Sequence, residues 1–319
     1  MKVKLLSVSL MGLNLLFGGL PAQAGCGEIK PSADVDEFGI SMFYPTAAGG
    51  RTWFSRWNNG KERTFKKSGD RDPYDDEFIM RGNGEIIIDG KGLARISGAS
   101  PRLYVYDEPR KKKWCNLEVT LYCKRVKETA DKLSYRGFGI GTRSDHQDAA
   151  EEISDVSGII KGRTQGATYY GKLFYDGRVA FVKELVHHDT AGYSVNKPDS
   201  SKHFWDTPDR SMPPNIWTGM KLIIRNAPDN TVKLEFHRDL TDGKHGGHWE
   251  KLIEYTDKGG WTNPLLTKEL IEKCTPKGLK VIAVDEVLRN PGASVFIRND
   301  GLAEAQLKKF SIREIAPLE

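Results

Sequence analysis

Residues 168–187 read TYYGKLFYDGRVAFVKELVH. Tyr, Phe, Val and Leu dominate on both sides of Asp176-Gly177, and such residues fit the pleated surface of a strand. Asp-Gly between two such runs signals a hairpin, because both positions of a type I′ turn need positive φ. A two-residue turn sets Tyr175 opposite Arg178, hence Tyr170 opposite Lys183 and Tyr169 opposite Glu184. One face then carries Tyr170, Lys172, Lys183 and His187. The other carries Tyr169, Gly171, Tyr175, Arg178 and Glu184. Polar residues among apolar ones on both faces suit a sheet with a cleft on one side.

The same grammar extends outward. Glu85–Ile88 ends at Asp89-Gly90, and Arg102–Tyr106 follows Pro101. Leu117, Val119, Leu121 and Cys123 alternate with Glu118, Thr120, Tyr122 and Lys124. Lys221–Arg225 and Thr231–His237 flank a Pro-Asp-Asn turn, and Ser294–Arg298 and Leu307–Ile315 close the chain. A helix is expected over Leu265–Lys273, with Asn263 as N-cap, Pro264 at the first helical position, and Pro276 and Gly278 beyond its end. A second short turn is expected near Val284–Leu288. No repeat or low-complexity linker interrupts the pattern. The prediction is all-β: one antiparallel β-sandwich over residues 25–319, with long loops at 145–166, 188–215 and 239–263.

The chain has 319 residues, 38% of them hydrophobic, 29% charged and 10% aromatic. That is too aromatic for a disordered chain, and 4 Cys are too few for a disulfide-stapled miniature scaffold. Met1–Lys4 is basic, Leu5–Leu20 is mostly apolar, and Ala22-Gln23-Ala24 is a cleavage-type motif. Residues 1–24 are therefore expected to be a signal peptide, cut before Gly25. The protein is expected to be secreted or periplasmic. Ala24-Gly25-Cys26 also ends like a lipobox, so lipid anchoring at Cys26 is the alternative, although Gln23 stands where Leu is usual. Two of the basic residues, Lys2 and Lys4, lie in that segment, so the formal charge of +5 becomes +3 without it. So weak a balance gives no reason to expect nucleic acid. No second long apolar run predicts a membrane span. A monomer is expected.

Cys115 and Cys123 would share one face of a strand, about 27 Å apart at about 3.4 Å per residue. They cannot bond to each other on a straight strand. Either is free to pair with Cys274 or Cys26, and one disulfide plus buried thiols is the expectation.

Residues 135–148 read YRGFGIGTRSDHQD. Gly137, Gly139 and Gly141 recur with period two and leave one face of a strand bare, with Phe138 and Ile140 on the other. A bare face suits the close approach of a ligand or another backbone. Arg143 continues that face, and His146 and Gln147 follow where the strand enters a loop. No βαβ pattern surrounds the glycines, so they are not a dinucleotide fingerprint.

The overall pattern resembles the concanavalin A-like jelly-roll group of lectins, glucanases and polysaccharide lyases. Within it, alginate-lyase-like enzymes carry an Arg strand, a Gln/His strand and a Tyr-x-Lys strand on the cleft. Arg143, His146 or Gln147, and Tyr170-Gly171-Lys172 are similar. The R-x-E-x-R, Q-I-H and Y-F-K-x-G-x-Y strings are absent, and Asp176 stands four residues after Lys172 where that group has Tyr. The resemblance implies β-elimination on a uronate-containing polysaccharide. Arg suits the uronate carboxylate through its bidentate fork, and His or Tyr suits acid–base work. The expected catalytic set is Arg143, His146, Tyr170 and Lys172. Gly139, Gly141, Gln147, Lys183, Glu184, His187 and Trp205 are expected to bind substrate.

Two other classes fit the same fold. A non-catalytic, lectin-like glycan binder would use the same floor. A glycoside hydrolase needs two carboxylates at fixed separation, with Glu77, Glu118, Glu184 and Glu235 as candidates, but the Glu-x-Asp-x-x-Glu string of jelly-roll glucanases is absent. Gly-x-Ser-x-Gly and His-Glu-x-x-His are also absent. No cofactor is expected. Asp239–Gly243 reads as a turn, with a structural calcium loop as the alternative. Trp205, Trp249 and Trp261 fall in expected loops, where exposed rings would suit sugar stacking.

Overall fold

In a computed structural model of the chain, the residues described are 34–107, 111–128, 136–144, 165–188, 191–198, 202–275 and 280–319. Among them are β1 (Thr52–Phe54), β2 (Arg63–Phe65), β3 (Arg71–Asp72), β4 (Asp75–Ile88), β5 (Leu93–Val105), β6 (Leu117–Glu128) and β7 (Gly137–Ser144). Then follow β8 (Gln165–Phe174), β9 (Val179–Val186), β10 (Thr218–Ala227), β11 (Thr231–Asp239), β12 (Trp249–Asp257), the helix α1 (Lys268–Cys274), β13 (Ser294–Asp300) and β14 (Leu302–Glu314). Every strand pairing is antiparallel.

The strand order is β12-β11-β10-β6-β14-β5-β13-β7-β8-β9, with β4 along β5. β5 is the pivot. Its residues 93–97 pair with β14, and its residues 102–105 pair with β13. The β4–β5 ladder shifts register between Asn83 and Glu85. There Gly84 (φ 154°) and Gly98 (φ 103°) approach so closely that a Cβ on Gly98 would stand 2.6 Å from the Gly84 Cα. Glycine at both positions lets the long ladder bend.

The bend turns one ladder into two layers. The first is β12-β11-β10-β6-β14 and the second is β13-β7-β8-β9, with β4 and β5 serving both. Leu121, Leu222 and Phe236 of the first layer and Phe138, Ile140, Leu173 and Phe181 of the second belong to one buried core. Each such side chain contributes roughly 1.5–3 kcal/mol by leaving water. The layers touch at Gly171, whose absent Cβ would lie 2.7 Å from Phe236 and 3.0 Å from Leu222. The expected all-β antiparallel sandwich is present.

Several local expectations change. The β8–β9 hairpin closes with three residues rather than two. Phe174 N donates to Arg178 O and Gly177, at φ 89°, donates to Phe174 O. Asp-Gly serves this three-residue turn equally well, with Gly in the left-handed position. The observed register sets Tyr169 opposite Lys183 and Tyr170 opposite Val182. One residue of slip exchanges the faces of β9. The expected 239–263 loop contains β12, whose buried positions do not alternate cleanly. The helix starts later than expected: Thr267 is the N-cap and accepts from Leu270 N, while Asn263 caps a preceding turn through Leu265 N.

No disulfide joins the described cysteines, contrary to expectation. Cys115, Cys123 and Cys274 are free thiols. Cys123 faces the core beside Met220, with Leu117, Val119 and Leu121 as expected. Cys115 precedes β6 and contacts Asn226 and Arg289 O. Cys26 lies outside the described residues. No helix among the described residues is long and apolar enough to cross a membrane.

Candidate functional site

Across the outer face of the second layer, register places two rows of side chains side by side. The first runs Arg81 (β4), Arg102 (β5), Arg298 (β13), Gly139 (β7), Lys172 (β8) and Ala180 (β9). The second runs Ile79, Tyr104, Phe296, Gly141, Tyr170 and Val182 on the same strands. One row is cationic and the other aromatic, and each has glycine at β7.

The glycines make this arrangement possible. A Cβ on Gly139 would stand 2.9 Å from Arg298 Cγ, and one on Gly141 would stand 2.5 Å from the Phe296 ring. Both side chains lean across β7 into space that any other residue would fill. Phe296 stacks on Tyr104 at 4.4 Å and meets Tyr170 edge-on at 5.6 Å. The period of two in the glycines thus serves two leaning neighbours. The expected bare floor at Gly139 and Gly141 is occupied by the protein's own Arg298 and Phe296.

Like charges directly opposite one another destabilise a sheet, yet Arg102 and Arg298 are direct partners and Lys172 follows one strand beyond Gly139. Asp300 is their shared carboxylate. It lies 2.8 Å from Arg298 Nε, 3.2 Å from Arg102 Nη2 and 3.6 Å from Lys172 Nζ. Burial alone would raise the Asp300 carboxyl, but Arg298, Arg102 and Lys172 hold it well below the usual range. Lys172 is pushed down to about 8 by burial and by Arg298, against the pull of Asp300. Among the described residues, three cations therefore face one carboxylate. The Arg102 and Arg298 side chains are each 15% exposed.

The rim is made by β9 and the segment after it. Tyr170 Oη donates to Glu184 Oε2 at 2.6 Å, and His187 Nδ1 lies 2.6 Å from Glu184 Oε1. Burial and Glu184 hold the Tyr170 phenol well above its ordinary value. Tyr193, paired with Glu184 through a backbone bridge, packs on Tyr170 and hydrogen-bonds Arg298. Asn263 Nδ2 fixes it by donating to Tyr193 O at 2.7 Å.

The expected residues separate into groups. Tyr170, Lys172, Glu184, His187, Gly139 and Gly141 come together on this face. Lys183 does not. The register slip turns it into the interior, where its Nζ lies 3.0 Å from Asp257 Oδ2 and donates to Glu286 O at 2.7 Å. Arg143 also leaves the row. Its φ of 51° breaks the strand alternation, and the facing ladder shifts register between Ser294 and Phe296. Its guanidinium donates to Cys115 O and Leu288 O, each at 2.7 Å, and to Asn226 Oδ1 at 2.8 Å. Trp205 is buried, with the Arg238 guanidinium 4.6 Å over its ring. Trp261 is buried and stacks on Tyr169. Neither offers an open ring to a sugar. His146 and Gln147 lie outside the described residues.

Arg102, Arg298, Asp300, Tyr104 and Tyr193 join the site from outside the expected set. The alternations Arg102-x-Tyr104 and Phe296-x-Arg298-x-Asp300 carried the signal, since each puts aromatic and charged residues on one face. Of the hydrolase candidates, Glu184 lies on the second layer, while Glu118 and Glu235 flank Ile223 on the first. Glu118 is held by Lys221 and Arg313, Glu235 by Arg225 and Lys233, and Glu77 by Arg51 and Lys112. The possible calcium loop is closed by protein donors. Asp239 accepts from Thr241 N, Thr241 Oγ1 and His248 N on one oxygen and from Tyr122 Oη and Gly243 N on the other. A carboxylate so engaged does not fit a calcium ligand. Among the described residues no group of three or more His, Cys, Asp or Glu is placed to hold a metal ion.

No protein-family model and no curated protein matches the sequence. Solved structures with a similar strand arrangement include the exoplasmic/lumenal domain of VIP36 in its metal-free form, with a TM-score of 0.40 and 10% identity over 82% of this chain and 94% of that one. Another is a Bacillus subtilis protein of unknown function with a galectin-like fold, with a TM-score of 0.39 and 11% identity over 76% of this chain and 90% of that one. Peanut lectin with a nine-residue peptide has a TM-score of 0.36 and 11% identity over 79% of this chain and 97% of that one. The likeness to these lectin-type jelly rolls concerns the arrangement of strands alone.

Proposed function

We propose that this is an exported glycan-binding protein that takes an acidic, uronate-containing polysaccharide on the outer face of the second layer. The observation that carries the reading is the cation row: Arg102, Arg298 and Lys172 abreast, sharing Asp300 as their one carboxylate among the described residues. A row of like charges is costly unless an anion offsets it. A uronate carboxylate is such an anion. Arg298 already donates from Nε and Nη2 to Asp300, so the uronate would take its charge-assisted hydrogen bonds from Arg102 and from the remaining Arg298 donors. Partial burial strengthens each of those bonds. Tyr104 and Tyr170 are buried beneath the row, and Tyr193, which is half-buried, borders it and offers its ring to a sugar.

Binding is favoured over β-elimination on chemical grounds. An eliminating base must accept the C5 proton. Tyr170 already donates to Glu184, and its phenol is held against ionisation by burial and by that carboxylate. Arg143, the expected carboxylate clamp, is engaged by backbone carbonyls away from the row. Retention on an immobilised polyuronate tests the reading, with the ultraviolet absorbance of the unsaturated product followed in parallel. Retention without absorbance is expected. A rise in absorbance would restore the lyase, and no retention on any acidic glycan would remove the proposal.

A further inference from the structure

Residues 34–50 cross the outer face of the first layer as a strap. Phe43 N and Tyr44 N donate to the buried Glu118 carboxylate, and Lys221 Nζ donates to Ser41 O. Phe43 then sits on His237, ring centroids 4.6 Å apart and nearly perpendicular. His237 is only 3% exposed under that roof.

The surroundings of His237 leave no room for a charge. Register sets it directly between Lys221 on β10 and Lys251 on β12. On its own strand, Glu235 lies 3.5 Å away but is also approached by Lys233 at 3.6 Å and Arg225 at 3.7 Å. The other carboxylates are engaged. Glu118 holds Lys221 at 2.5 Å and Arg313 at 2.9 Å, and Glu254 holds Lys251 at 2.6 Å. The strap brings the Phe43 ring against His237, and Tyr44 lies under Arg225. A protonated His237 would be a third cation in line, out of water, with one overcommitted carboxylate beside it.

We propose that the strap is an acid-released cover. With the strap docked, His237 stays neutral. Protonation favours the undocked state, in which water reaches the ring, so acid opens the face holding Ile223, Ile315 and Trp249. Burial, opposed by Glu235 and aided by Lys221 and Lys251, lowers the histidine's proton affinity in the docked state. Docking is therefore fully supported above the free value of about 6.5 and weakens as pH falls below it.

Hydrogen exchange of the strap amides in the full chain, corrected for intrinsic rates, tests this at about pH 7.5 and about pH 5. Protection of Phe43 and Tyr44 should fall about tenfold for each unit by which the proton affinity is lowered, while β7 and β8 amides hold. His237→Gln should flatten that dependence. Lys251→Met, which leaves the histidine in place, should reduce it. Equal wild-type protection at both pH values, or an unchanged fall in Lys251→Met, would overturn the proposal.

Discussion

β8 and β9 carry two ion clusters back to back, and they are built on opposite principles. On the inner face Lys183 meets Asp257 one to one, and both side chains are fully buried. Tyr169 Oη donates to the same carboxylate and accepts from Leu288 N, while Glu286 O takes a further Lys183 proton. Charge and hydrogen bonds close on themselves. On the outer face Lys172 belongs to a set of three cations around Asp300, with solvent within reach. A closed network ties Glu286 and Leu288 to the sheet. An unbalanced one on an accessible face is suited to a visiting anion.

The comparison predicts different failures on the two faces. Lys183→Met leaves Asp257 charged and buried without its partner, so unfolding by urea should show a loss of about 3–5 kcal/mol. Arg298→Ala should behave the other way. It removes the Nε and Nη2 contacts to Asp300 but leaves that carboxylate Arg102 and Lys172, so stability should fall by less than in Lys183→Met, while affinity for an oligouronate should fall by about 2–3 kcal/mol, measured by calorimetry. Comparable effects of both substitutions on both quantities would erase the distinction. Gly139→Ala removes no charge but presses a methyl group against the Arg298 stem. It should weaken binding more than Gly92→Ala, a glycine whose Cβ would meet only Asn58 at 3.9 Å and which, unlike Gly139, carries the strain of positive φ.

The last contrast concerns pH. Lys172 titrates near 8 when folded, against 10.5 as its ordinary value. Between those values the unfolded chain holds a proton that the folded chain has released, so this group adds stability as pH rises through that window. Anion binding moves the opposite way and should decline as pH rises through about 8. Lys172→Met should remove both trends, readable from urea midpoints and from retention at each pH. Parallel rather than opposed trends in the wild-type protein would contradict the role given to Lys172.

Much of the architecture was legible in residue order. Strand alternation and Asp-Gly, Pro-Asp-Asn and Gly punctuation located most strands and the sandwich, because period two follows directly from the pleat. The bare positions at Gly139 and Gly141 were legible too, but not that Arg298 and Phe296 fill the space above them. Register was not, since Asp176-Gly177 fits two turn lengths and one residue decides which face Lys183 and Glu184 occupy. Arg143 was unreadable for a related reason: a single left-handed residue breaks alternation without any glycine or proline to announce it. The cation row escaped because its members come from four strands separated by up to 217 positions, Arg81 to Arg298. Each strand shows only one or two of them, and only register assembles the row.

Calorimetric titration with an oligouronate and with the same oligosaccharide after reduction of its carboxyl groups tests the central claim most directly. The sugar rings and linkages are shared, and the charge alone differs. Binding of the acidic form, with loss of most affinity for the reduced form and in Arg298→Ala, is the predicted result. Equal affinity for both forms, or undiminished binding of the acidic form by Arg298→Ala, would contradict a site built to receive an anion.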